Sequence, residues 1–192
     1  AKAAAAAAGA MMITDAKAGT DAATIAAAAR SIASNRPHSA LVVGTPKFVG
    51  ESIAALRSAG ISQQIFTLSY LSAAALQKFA GNGARGVGIA QTYPNPLGVS
   101  SALQRGFRVA MQQAHPAVSM YTGFHMEGYV TAKVFSRAAS KTKNLTPASL
   151  AEALHSMGEV DIGGFLVNFS KDNQGSRWVD IGVVNVDGRL LY

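Results

Sequence analysis

Apolar residues in the first half of the chain fall into short continuous runs, separated by stretches in which they recur with helical spacing. Residues 11–14 form one such run and read as a strand, and Asp21 is placed to cap a helix whose Ile25, Ala29 and Ile32 share a face. The unit then repeats. Residues 40–43 read as a buried strand, Gly44-Thr45-Pro46 interrupts it, and Val49, Ile53 and Leu56 mark a helical face that stops at Gly60. Residues 65–68 predict a third strand and residues 86–93 a fourth. Between them, Ser72 caps a helix that carries Leu76 and Phe79 and ends at Gly81. This alternation needs crossover connections, so it predicts a parallel sheet with helices on both faces. Strands that read as continuous apolar runs fit a sheet covered on both sides.

After Tyr93 the rhythm changes. Pro94-Asn95-Pro96-Leu97-Gly98 is a stiff, turn-rich crossing, and Ser100 is placed to cap a helix with Leu103, Phe107, Ala110 and Met111 on one side. A further helix is expected over residues 122–139. Another starts at Thr146 with Pro147 in its first turn and carries Leu150, Leu154 and Met157. Successive helices without strands imply a second packing environment, hence a second lobe. The chain closes on strands at residues 165–169, 178–186 and 189–191, the last two joined by the hairpin signal Asp187-Gly188.

Composition narrows the classes. The chain has 192 residues, 49% of them hydrophobic and 14% charged, which excludes extensive disorder. No apolar stretch approaches the length needed to span a bilayer, since Lys2, Gly9 and Asp15 interrupt the alanine-rich start. Residues 3–8 are an alanine run that fits a helix, and no cleavable secretory signal is present, so a mature, processed or incomplete chain is expected. With no cysteine there is no disulfide, thiolate nucleophile or cysteine-ligated metal. A net charge of +7 brings acidic partners into view. The basic residues Arg30, Arg57, Lys78 and Arg105 stand singly, however, and a nucleic-acid footprint is not expected.

Catalytic signatures fail on inspection. Gly81-Asn82-Gly83-Ala84-Arg85-Gly86 has dinucleotide-fingerprint spacing, but a helix precedes it and a strand follows, the reverse of what phosphate binding needs. His125 and Glu127 are two apart, and Tyr121 and Tyr129 occupy the positions one turn from His125, so no zinc pair forms. There is no Gly-x-Ser-x-Gly elbow and no P-loop. Asp161 and Asp180 read as turn or solvent-face carboxylates. No metal, no cofactor and no catalytic group is expected.

In open parallel sheets, ligands bind beyond the carboxyl ends of the strands. That rule selects Asp15, Thr45, Ser69 with Tyr70, and Tyr93. Thr45 and Ser69 bring hydroxyls, while Tyr70 and Tyr93 bring flat faces with polar tips. Helix N-termini after these strands favour an anionic ligand group such as a carboxylate. Each residue also has a bland role: Thr45 beside Pro46 fits a turn-shaping residue, Ser69 a helix cap, and Tyr93 a packing residue at a hinge.

Several motifs recur in a telling order. Gly19-Thr20-Asp21 precedes an alanine-rich helix and Leu41-Val42-Val43-Gly44. Val49-Gly50 is followed by Arg57-Ser58-Ala59-Gly60-Ile61, and Phe79-Ala80-Gly81 by Gly86-Val87. Glu127-Gly128-Tyr129 comes before Ala132, then Gly163-Gly164-Phe165 and Asp187-Gly188-Arg189. In this order the chain resembles, almost end to end, the periplasmic ligand-binding proteins of ABC transporters, in their Leu/Ile/Val-binding branch.

The resemblance implies an α/β type I periplasmic-binding fold of two Rossmann-like lobes with parallel sheets, the first lobe largely missing. It places residues 1–93 in the second lobe, 94–160 in the hinge crossing and first-lobe helices, and 161–192 in strands returning to the second lobe. It assigns ligand contacts to Thr45 or Pro46 and to Ser69, with Tyr70 close by, and a hinge near residues 93–96. Amino-acid binders of the branch place an aromatic and an acidic residue where Thr45 and Ser69 stand. A carboxylate without an ammonium group therefore becomes a candidate beside an amino-acid-like ligand. The implied protein is a periplasmic monomer that binds a small solute, closes on it and is met by membrane permease subunits. Sensor domains of transcription repressors share the fold and are the alternative.

Overall fold

The computed structural model describes residues 2–192. The chain runs α1 (Lys2–Ala7), α2 (Ala22–Ser34), β1 (Ser39–Leu41), α3 (Pro46–Ser58), β2 (Gln64–Thr67), α4 (Ala73–Ala80), a short 3-10 turn Gly81–Ala84 and β3 (Gly88–Gln91). It continues through α5 (Ala102–Ala114), α6 (Gly123–Ala139), α7 (Pro147–Ser156), β4 (Glu159–Asp161) and β5 (Leu166–Asn168), and ends on β6 (Asp180–Val184) and β7 (Leu190–Leu191). These elements gather into two compact units, one of residues up to Ala90 together with Ile181–Tyr192, the other of Gln91–Asp180.

The first unit is built on a sheet of order β1-β2-β3-β6-β7. β1 pairs in parallel with β2 (Ala40 opposite Ile65), and β2 with β3 (Thr67 opposite Ile89). β6 and β7 form an antiparallel hairpin with Val184 opposite Leu190. Its turn is stabilised by the Asn185 side-chain oxygen, which accepts from the N–H groups of Asp187 (3.0 Å) and Arg189 (2.8 Å), while Gly188 adopts a φ of 71°. Ala29 of α2, Val49, Ile53 and Leu56 of α3, and Leu76 and Ala80 of α4 share one core with Val42, Ile65, Val87, Ile89 and Val184 of the sheet.

Two expectations are corrected here. Helices α2, α3 and α4 contribute to a single core, whereas alternate strand residues on the opposite face stay exposed, Leu41 at 52% and Ile181 at 46%. The sheet is thus covered by these helices on one face, because side chains along a strand alternate and only one set meets them. Residues 11–14 form no strand, and Met11 is 83% exposed. A short apolar run becomes a strand only where a neighbouring strand pairs with it.

The second unit packs Leu103 and Phe107 of α5, Met126, Val130 and Val134 of α6 and Ala153 of α7 against Val160, Phe165 and Val167. Its centre is Phe107, fully buried, with edge-on contacts to Tyr121 (5.3 Å) and Tyr129 (5.6 Å). β4 and β5 pair antiparallel, Val160 opposite Val167. The cap of α5 is Ser101, one residue beyond the expected Ser100. Gln104 at the third helical position completes a capping box and its Nε2 also donates to the Asn95 carbonyl at 2.9 Å, tying the crossing to the helix.

Candidate functional site

The expected ligand residues sit where β1 and β2 end. Beyond β1 the chain keeps its register with β2: the Val42 N–H donates to the Phe66 carbonyl (2.9 Å), and the buried Thr67 hydroxyl donates to the Val42 carbonyl (3.0 Å). The chain then turns at Gly44, where the Phe48 ring lies against the α-carbon and leaves no room for a β-carbon. The Gly44 N–H donates to the Tyr70 hydroxyl oxygen at 2.8 Å, a contact between the turn after β1 and the loop after β2.

Thr45 is the N-cap of α3 in extended conformation, and Pro46 occupies the first turn, where its missing N–H costs nothing. The Thr45 backbone carbonyl accepts from Val49 (2.9 Å), but its exposed hydroxyl makes no capping bond. Ser69 is half-buried, and α4 is capped instead by Ser72, whose Oγ accepts from the Ala75 N–H at 3.1 Å. The structure therefore brings Thr45, Pro46 and Tyr70 to one turn with Ser69 beside Tyr70 in sequence, and neither Thr45 nor Ser69 spends its hydroxyl on a helix cap.

Tyr93 belongs to the other unit. Its ring is tilted against Phe165 at 5.9 Å, and burial, followed by the negative charge of Glu127, holds its phenol above the usual range. It helps line a cavity of about 700 Å3 in that unit, whose walls include Trp178, Phe165, Phe169, Val134 and Leu154. Phe165 and Trp178 meet edge to face at 6.0 Å. Sequence reasoning found neither this aromatic cluster nor the Gly44–Tyr70 bond, since both join residues far apart in the chain. The glycine of the strand–Gly–Thr–Pro turn was the available signal for a close approach.

Other singled-out residues have local roles. Asp161 accepts from the N–H groups of Gly164 (2.6 Å) and Gly163 (2.9 Å), which holds its carboxyl below the usual range and shapes the β4–β5 turn. His125 closes a capping box, its Nδ1 accepting from the Thr122 N–H at 3.0 Å. The Gly81-to-Gly86 stretch is the 3-10 turn Gly81–Ala84 and the residues that follow it on the way to β3. Two of the scattered arginines satisfy loop carbonyls, Arg57 those of Ile61 and Gln63, and Arg105 those of Val99 and Ser100. Among the described residues no group of three or more His, Asp or Glu could hold a metal ion, and no helix is long and apolar enough to cross a membrane.

Parallel strands β1, β2 and β3 joined by helices, with Thr45 and Ser69 just beyond the strand ends, make this an α/β fold. The profile of the periplasmic binding protein family matches residues 1–189, and the chain belongs to that family. It is similar to an extracellular ligand-binding receptor from Verminephrobacter eiseniae, with 46% identity and a TM-score of 0.85 over 96% of this chain and 53% of the receptor. It is also similar to a possible leucine/isoleucine/valine-binding protein from Rhodopirellula baltica, with 27% identity and a TM-score of 0.71 over 81% of this chain and 43% of that one. A leucine-binding protein from Thermotoga maritima, 16% identical with a TM-score of 0.75 over 90% of this chain and 47% of that one, shares the fold. The chain thus spans about half the length of these relatives, and its fold is the type I periplasmic-binding fold. A comparison with curated proteins found no match.

Proposed function

We infer that this chain forms part of an extracytoplasmic solute-binding receptor of an ABC importer, acting in the periplasm as a monomer. The receptor binds a small carboxylate or amino-acid-like ligand and delivers it to permease subunits without chemical change. The single observation that supports this reading is the turn at Gly44, whose N–H bonds the Tyr70 hydroxyl and which leads directly into Thr45 and Pro46 beyond the carboxyl ends of parallel strands. Thr45, Pro46, Ser69 and Tyr70 contact the ligand from the first unit, and Tyr93 contributes its ring from the second. In receptor terms residues 1–93 form the second lobe, 94–160 the hinge crossing and first-lobe helices, and 161–192 strands returning to the second lobe. The crossing at residues 93–96 acts as the hinge on which the receptor closes.

Hydroxyls at positions 45 and 69, with no carboxylate beside them, favour a ligand whose charged end is an acid over one that needs an anionic partner for an ammonium group. The test is thermal unfolding of the full receptor with L-leucine, L-valine, benzoate, phenylacetate or hexanoate. A ligand at a hundred times its Kd stabilises by about 2.7 kcal/mol, so the true class raises Tm measurably. Carboxylates without an amino group are expected to do so, and Thr45→Ala or Ser69→Ala to weaken them by about three- to tenfold. Stabilisation by the amino acids alone would overturn the ligand preference, and none by any small solute would overturn the function.

A further inference from the structure

The Tyr70 hydroxyl does more than occupy the site. Its oxygen accepts the Gly44 N–H at 2.8 Å, across twenty-six residues of chain, and among the described residues its own proton has no protein acceptor. Tyr70 is 38% exposed and its bond to Gly44 lies at the surface, within reach of an incoming molecule. The partner backbone is confined further: the Phe48 ring lies against Gly44, and Pro46 fixes the first turn of α3. The turn is thus held between an aromatic ring of its own helix and a phenol from the next loop.

We propose that Tyr70 is the specificity-determining clamp of this site: it locks the Gly44–Thr45 turn to the loop after β2 and offers its hydroxyl proton to an acceptor oxygen of the ligand, selecting a carboxylate. A hydroxyl whose oxygen already accepts a hydrogen bond donates more strongly, because the two bonds polarise one another. A donor to an anionic oxygen makes a shorter, stronger bond than a neutral pair does. The clamp also places Thr45 and Ser69 on loops that cannot drift apart, which lowers the ordering cost of binding. This inference deepens the solute-binding reading and rests on it for the identity of the ligand, but not for the clamp.

The experiment compares Tyr70→Phe with the wild-type full receptor, using Ser69→Ala as a neighbour that removes a hydroxyl without touching Gly44. Without ligand, Tyr70→Phe is expected to accelerate amide exchange at Gly44 about tenfold while Tm stays within a few degrees, and Ser69→Ala to leave Gly44 exchange unchanged. Unchanged exchange in Tyr70→Phe would overturn the clamp. With whichever of benzoate, phenylacetate and hexanoate binds wild type most tightly, Tyr70→Phe is expected to weaken binding about ten- to hundredfold. Equal affinity would overturn the donor role. Should wild type bind none of the three, the donor role fails together with the carboxylate preference, whereas the solute-binding reading fails only if the amino acids do not bind either, and the Gly44 exchange still decides the clamp.

Discussion

At Asp161 an exposed carboxylate is held by two backbone donors, Gly164 first and Gly163 second, and its pKa is lowered accordingly. A depressed folded pKa means that the stabilising contribution is fully present above the unfolded value of about 4 and is lost as pH falls through the folded value. Asp161→Ala is therefore expected to lower Tm at pH 7, with the gap to wild type closing in acid; Tm measured across pH checks it. Gly163 beside it tests backbone sterics: φ is 108°, and a β-carbon there would lie 2.7 Å from the Leu103 backbone nitrogen, which itself donates to the Gly163 carbonyl at 2.9 Å. Gly163→Ala is expected to destabilise by about 2–4 kcal/mol in denaturant titration. At this scale the sequence was legible wherever chemistry is local. Asp21, Ser72 and Thr146 cap the helices expected of them. Ser100 was off by one because Ser100 and Ser101 both suit the role, and only the bonds to Gln104 separate them.

Helices α3 and α4 pack against each other in the first unit, and Gly50 lets them approach. A β-carbon on Gly50 would fall 3.0 Å from the Phe79 carbonyl carbon, so backbone, not a movable side-chain tip, stands in the way. Alanine in a helix interior gains about 1 kcal/mol over glycine, while forcing two helices apart costs about 1–3 kcal/mol. Gly50→Ala is thus expected to destabilise on balance, and a stabilised variant would show that the helices can part without loss. Ile53 on the same helix is fully buried, and Ile53→Ala is expected to cost about 2–5 kcal/mol. Elements with a strong 3.6-residue period were readable in advance for this reason: the residues that set the period are those that meet the core. The strand at residues 11–14 and the two-sided sheet were not, because both depend on what lies beside a segment, which periodicity within it does not record.

Among the described residues the hydrophobic core falls into two clusters with no buried member in common, one around Ile53, Ile65 and Leu76, the other around Phe107, Met126 and Phe165. Separate cores imply separately cooperating regions. Phe107→Ala, at an expected cost of about 3–5 kcal/mol, should accelerate amide exchange over residues 91–180 and leave α3 and β2 at wild-type protection; an equal rise in both would refute that division. The strand-end rule named Thr45, Ser69 and Tyr70 from the sequence because a parallel sheet directs all its strand ends one way. The bond that fixes Tyr70 to Gly44 was illegible, since it depends on β1 and β2 being neighbours, and neighbourhood in a sheet is written in neither strand.

The strand order carries one more consequence, for synthesis. β6 lies beside β3 in the sheet, yet residues 92–179 separate them in sequence. A nascent chain emerging from the ribosome finishes β3 on the order of ten seconds before β6 exists to cover its free edge. During that interval the edge of a parallel sheet stands open, a template for pairing with any other chain. Maturation of this protein therefore has a vulnerable window set by its topology, and whatever keeps β3 unpaired until residue 181 arrives governs how much of the protein is made soluble.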